Sequence, residues 1–142
     1  MKKFSLLLLF VFISCDAILN PVANLDEPFW LEFGQVKVLP PDNLRIEFRQ
    51  LLEESRCPSD VICVWEGRAR IGLLLQTPAD SIQVELLLPG FATQADTLAH
   101  QPVDTLGYRI TLMQLDPYPN TQRRPQNSDY KALLKISRLL RR

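Results

Sequence analysis

Cys57 and Cys63 stand six positions apart in "SRCPSDVICVWEG" (55–67), and the single histidine, His100, lies in "TLAHQPVD" (97–104). Thiols and imidazole ligate metals and carry redox and nucleophilic chemistry, so these residues are the chain's first candidates for a reactive site. A zinc-type centre takes about four ligands, or three and an open position, and two thiols with one distant imidazole do not make such a set. A redox dithiol has two residues between its cysteines, whereas five separate this pair. No G-x-S-x-G, H-E-x-x-H or P-loop pattern occurs. The adjacent acids Asp26–Glu27 and Glu53–Glu54 would point to opposite faces of a strand and read as solvated turns. His100, alone in a polar stretch, reads as a solvated loop residue. No catalytic residue, metal ligand set or cofactor is assigned, and the chain is not expected to be an enzyme.

The cysteine count is three, an odd number that an exported protein must account for. The N-terminus supplies the account. Met1, Lys2 and Lys3 precede the apolar run "FSLLLLFVFIS" (4–14), which ends at Cys15. About eleven apolar residues fit a signal-peptide h-region and fall short of the ~20 that span a bilayer as a helix. A small residue directly before a cysteine at the end of such a run resembles the lipobox of bacterial lipoproteins. That resemblance implies cleavage after Ser14 and lipidation of the Cys15 thiol. Phe12 and Ile13 depart from its more usual residues. Acyl chains, at ~0.8 kcal/mol per buried CH₂, hold a protein on a membrane without a spanning segment. With Cys15 assigned to lipid, Cys57 and Cys63 remain as an even pair in an oxidising compartment, and a structural disulfide closing "CPSDVIC" is expected. Loss of Lys2 and Lys3 leaves 14 basic against 16 acidic residues, net −2, too close to neutral to suggest a nucleic-acid partner.

The elements that must hold these residues read as strands. Residues 1–14 are taken as signal peptide, 15–28 as a tether without clear periodicity, and 29–142 as one domain. "FWLEFGQVKVL" (29–39) is β-rich and changes apolar phase at Gly34, which suggests a bulge. In "LRIEFRQL" (44–51), Leu44, Ile46 and Phe48 alternate inward with Arg45, Glu47 and Arg49 outward. "CVWEGRARIGLLL" (63–75) places Cys63, Trp65, Gly67, Ala69, Ile71 and Leu73 on one face, so Trp65 is expected in the core beside the disulfide, with Gly67 either leaving room for its ring or marking a bulge. "IQVELLL" (82–88) and "YRITLMQL" (108–115) follow the same pattern. The closing segment from Tyr130 fits a strand or a helix with a basic stripe equally well. Some six to seven short strands with eleven prolines and no βαβ alternation predict an all-β sandwich or a partly open barrel.

Set against these elements, the segment "SRCP…CVWEGRA" resembles a family of small uncharacterised lipoproteins of Bacteroidetes-type envelopes. Ser55, Arg56, Cys57, Pro58, Cys63, Val64, Trp65, Gly67 and Ala69 carry the likeness, followed by Tyr108, Ile110, Leu112, Pro117, Tyr118 and Pro119. It extends over about residues 29–137. Glu66 departs from the small residue more usual in its place. The resemblance implies an Ig-like or Greek-key sandwich and a strand for the closing segment, and brings no catalytic residue.

The expected function is that of a lipid-anchored lipoprotein of the bacterial cell envelope, at the outer membrane, acting as a non-catalytic binding or structural module. Its partners are the membrane, through the lipid, and an envelope protein. The expected contact surface is Arg56 with the ring residues Pro58, Ser59, Asp60, Val61 and Ile62, because a ring held by a disulfide loses less entropy on binding. The rival expectation is a small-molecule site or enzyme built on the loop 90–104 around His100. A third is a membrane-contacting basic tail, since seven of the basic residues and two acids fall between Asp116 and Arg142.

Overall fold

The computed structural model describes residues 22–91 and 100–140. The expected signal peptide and the lipidated Cys15 lie outside the described residues, as do 92–99 of the loop expected around His100 and the last two arginines of the basic tail.

The protein is all-β. Strands β1 (Phe29–Glu32), β8 (Lys131–Arg138), β7 (Tyr108–Asp116) and β6 (Val103–Thr105) form one antiparallel sheet, in that order. Strands β2 (Val36–Leu39), β3 (Leu44–Glu54), β4 (Arg68–Gln76) and β5 (Ser81–Pro89) form the other. The two sheets pack as a sandwich that does not close into a barrel. Between them lies a core of Leu31, Leu44, Ile46, Phe48, Ile71, Leu73, Leu75, Leu86, Ile110, Leu112, Leu134 and Ile136. These are the residues that period-two alternation turns to one face of each strand. The closing segment is a strand, with Ala132, Leu134 and Ile136 inward.

Gly34 separates two strands that belong to different sheets. Its φ of +76° is a conformation that glycine enters without a Cβ penalty. Its N–H donates to the Phe48 carbonyl at 2.7 Å, carrying the chain across the sandwich. The expected bulge is therefore a crossover. Real register shifts occur in β3 near Phe48 and in β7 after Leu112; the second lets both Leu112 and Leu115 face inward. Residues 22–28, expected to be tether, are docked: Val22 bridges Val38, the Ala23 N–H donates to the Val38 carbonyl, and the Asp26 N–H to the Ile136 carbonyl.

The two ends of the sandwich differ. At one end the 40–43 turn meets the start of β7. The Tyr108 hydroxyl donates to Asp42 Oδ2 at 2.5 Å, and Arg138 donates to the same carboxylate oxygen. Tyr108 is buried, and its hydroxyl is pushed up to about 12, first by burial and then by its bond to Asp42. The unfolded chain releases this proton near pH ~10 and the folded chain does not, so the contribution is whole below ~10 and disappears as pH rises toward 12. Unfolding free energy should fall by up to ~1.4 kcal/mol per pH unit in that window from this group. Urea titrations at stepped pH should show a flatter fall for Tyr108→Phe.

Candidate functional site

The other end carries the disulfide loop. There β3 runs out at Glu54, β4 begins at Arg68, and β7 ends at Asp116. Between β3 and β4 the chain makes an eleven-residue excursion from Cys57 to Gly67. Its base is stitched by backbone bonds: the Ser55 N–H donates to the Arg68 carbonyl at 2.8 Å, and the Cys57 N–H to the Glu66 carbonyl at 2.9 Å. Above that base Cys57 and Cys63 are joined, with Cα atoms 5.9 Å apart. The pairing reached from cysteine arithmetic is the one observed. A seven-residue ring limits the unfolded chain by about 2.4 kcal/mol on the loop-entropy relation. Reduction with alkylation, or Cys57→Ser with Cys63→Ser, should lower unfolding free energy by about that much in a urea titration.

Arg56 is expected at the contact surface; the structure places it inside. It is 4% exposed. Nε donates to Glu54 Oε1 at 2.8 Å and Nη2 to Glu54 Oε2, a two-point clamp of the kind that planar guanidinium and carboxylate favour. Nη1 donates to the Leu115 carbonyl at 2.9 Å, in the opposite sheet. The Tyr118 ring lies against the guanidinium, 4.7 Å from its carbon to the ring centroid. Tyr130 is buried nearby, and its hydroxyl titrates above its usual range, first because of burial and then because of the Glu54 charge. Arg56 therefore ties β3 to β7 beneath the loop and cannot itself meet a partner.

Trp65 also departs from its expected place. It is 77% exposed rather than in the core. Alternation from Ala69 onward is as expected, with Ala69, Ile71, Leu73 and Leu75 all buried, but it cannot be extended backward through Gly67. That residue has a φ of +65°, which breaks the extended pleat, and residues 61–66 before it lie outside any strand and are all exposed. A Cβ on Gly67 would stand 1.7 Å from the Ser55 carbonyl oxygen. Gly67 thus serves the close approach of two backbones and makes no room for an indole.

These corrections leave a cap of apolar side chains in solvent. Ile62 is fully exposed, Val64 is 96% exposed, and Val61 lies half in solvent. Phe91, just beyond β5, and Tyr118, after β7, are exposed at the same end, where they line a shallow hollow together with Pro58, Val61, Ile62 and Glu66. The neighbouring 116–123 segment braces the ring. The Ser59 N–H donates to the Pro119 carbonyl at 2.9 Å, the Thr121 N–H donates to Asp60 Oδ1 at 2.9 Å, and the Thr121 hydroxyl donates to Asp60 Oδ2. Those bonds hold the Asp60 carboxyl below its usual range, the Thr121 hydroxyl being the main cause. Of the expected contact residues, Ser59, Asp60, Val61 and Ile62 are exposed, and Pro58 is partly so. Val64, Trp65, Phe91 and Tyr118 join them. The available signal was the apolar run "VICVW" (61–65), which begins in the ring, continues past Cys63 and has no packing reason to stand on a surface loop.

His100 is 5% exposed and not solvated as expected. The expected basic tail does not form one surface: Arg123 and Arg124 lie at the loop end, whereas Arg138 is paired with Asp42 at the opposite end. Lys131 stands over the ring of Trp30 at 4.7 Å, on the outer side of β8 and β1. Among the described residues no group of three His, Cys, Asp or Glu is placed to hold a metal ion, and no helix is long and apolar enough to cross a membrane.

Together, fold and site define a disulfide-capped β-sandwich with an apolar tip. In comparison with known proteins, the chain matches no protein-family model, no curated protein and no solved structure.

Proposed function

We propose that this protein is a lipid-anchored lipoprotein of the bacterial envelope that works as a non-catalytic binding module through its disulfide-capped tip. One observation carries the binding assignment. Ile62, Val64 and Trp65 stand in solvent on a loop whose base is fixed by a disulfide, backbone hydrogen bonds and the buried Arg56. Large apolar side chains clustered in solvent mark interaction sites, and their rigidity limits the entropy lost on docking. The anchoring assignment rests on the Ser14–Cys15 pattern after the apolar run.

Two measurements test the pair of assignments. Metabolic labelling with a fatty acid should mark the wild-type chain and not Cys15→Ser, and the variant should leave the membrane fraction. Chemical crosslinking in intact envelopes should yield a complex that the triple variant Ile62→Ser, Val64→Ser, Trp65→Ser loses. The triple variant should keep its unfolding free energy within about 0.5 kcal/mol per site, as exposed positions do. Crosslinking that is the same for wild type and triple variant contradicts the binding assignment.

A further inference from the structure

The ends of the chain and the charges of the loop narrow what the tip can meet. Val22 is bridged to Val38, which is in register with Arg45 at the start of β3. From Arg45 to Glu54 the strand covers about 30 Å at ~3.3 Å per residue, and the disulfide loop lies beyond Glu54. Cys15 precedes Val22 by seven residues, which extend to at most ~25 Å. A lipid on Cys15 therefore cannot let the tip press end-on into the same membrane. Only a molecule on its side brings the loop near that surface. There a second feature opposes contact: between Cys57 and Gly67 the sole charged residues are Asp60 and Glu66, both exposed. Lipid-binding loops depend on lysine and arginine to meet anionic head groups, and this loop has neither. Two exposed arginines of the adjoining segment stand at the same end, Arg123, which pairs with Asp129 at 3.8 Å, and Arg124.

We infer that the tip's partner is a protein with an apolar socket bordered by lysine or arginine, reached on the side of the molecule away from the lipid anchor, into which Ile62, Val64 and Trp65 insert. The inference rests on the function proposed above. An apolar centre within a charged rim is the ordinary anatomy of a protein interface, and acids at the rim select a partner of opposite charge and exclude like-charged surfaces.

The test uses the full-length chain in its native envelope, with photoreactive benzoylphenylalanine at Val64. Irradiation should give one discrete protein adduct, its crosslinked residue lying in an apolar surface with lysine or arginine beside it. Adding Glu66→Lys should reduce the yield roughly tenfold through like-charge contact, whereas Glu85→Lys on β5 should leave it unchanged. A yield indifferent to Glu66→Lys, an adduct with a second copy of this chain, or an adduct with lipid alone would overturn the inference. A vesicle assay isolates the lipid alternative. In the unlipidated Trp30→Phe protein, Trp65 is the only indole, and its emission should not shift with anionic vesicles containing phosphatidylglycerol; a blue shift contradicts the inference. If Cys15→Ser remains in the membrane fraction, the anchoring assignment fails and the placement away from the lipid falls with it. The Glu66→Lys comparison then still decides the socket.

Discussion

Arg56→Ala is expected to destabilise the domain by about 3–5 kcal/mol, the range for removing one partner of a buried ion pair. The wild-type guanidinium is almost wholly buried, occupies both oxygens of Glu54 and reaches across to the Leu115 carbonyl. Its loss leaves the Glu54 carboxylate, whose side chain is 14% exposed, without its counterion, and leaves the Leu115 carbonyl without this donor. The Tyr118 ring also loses the cation it packs against. Arg56→Lys should recover only part of the loss, because one ammonium cannot reproduce a planar fork. Equilibrium unfolding in urea measures both variants; a change under about 1 kcal/mol for Arg56→Ala, the scale of an exposed ion pair, would contradict the clamp.

Gly67→Ala is the second large effect. Two terms act together. A non-glycine residue in the left-handed region costs about 1–2 kcal/mol, and Gly67 has a φ of +65°. The added methyl would also lie 1.7 Å from the Ser55 carbonyl oxygen, a backbone atom held by the ladder at the loop base. Overpacking of this kind adds ~1–3 kcal/mol, so a total loss of roughly 2–5 kcal/mol is expected. The same methyl pushes apart the Cys57–Glu66 and Ser55–Arg68 bonds, so amide exchange at Cys57 and Ser55 should accelerate even under conditions where the rest of the domain stays folded. A Gly67→Ala protein with unchanged stability and exchange would show that the loop base is not packed as described.

The sandwich was legible because strand alternation is local. Leu44, Ile46 and Phe48, or Ile71 and Leu73, declare their face within a few residues. The disulfide was legible through counting and compartment. What failed did so where a distant partner or one glycine decided the outcome. Arg56 looks like a surface residue in a turn, and its burial depends on Leu115 and Tyr118, about sixty residues away. Trp65 shares parity with Ile71, but parity carries through a stretch only if every residue in it is extended, and Gly67 is not. Gly34 marked a phase break correctly, yet a bulge and a crossover look the same until the pairing partners of each flank are known. The same limit hid the contribution of Phe91 and Tyr118, which reach the tip from β5 and β7 and are adjacent to it only in the fold.

Under the proposed function, a partner in the envelope covers the exposed indole of Trp65. Hydroxyl-radical footprinting followed by mass spectrometry reads this directly, with half-buried Trp30 as the reference within the same chain. In the purified protein Trp65 should be labelled much faster than Trp30, as its 77% exposure requires. In intact envelopes its labelling should drop severalfold while that of Trp30 stays constant. Equal labelling of Trp65 in the two settings, or protection already present in the isolated protein, would contradict the account.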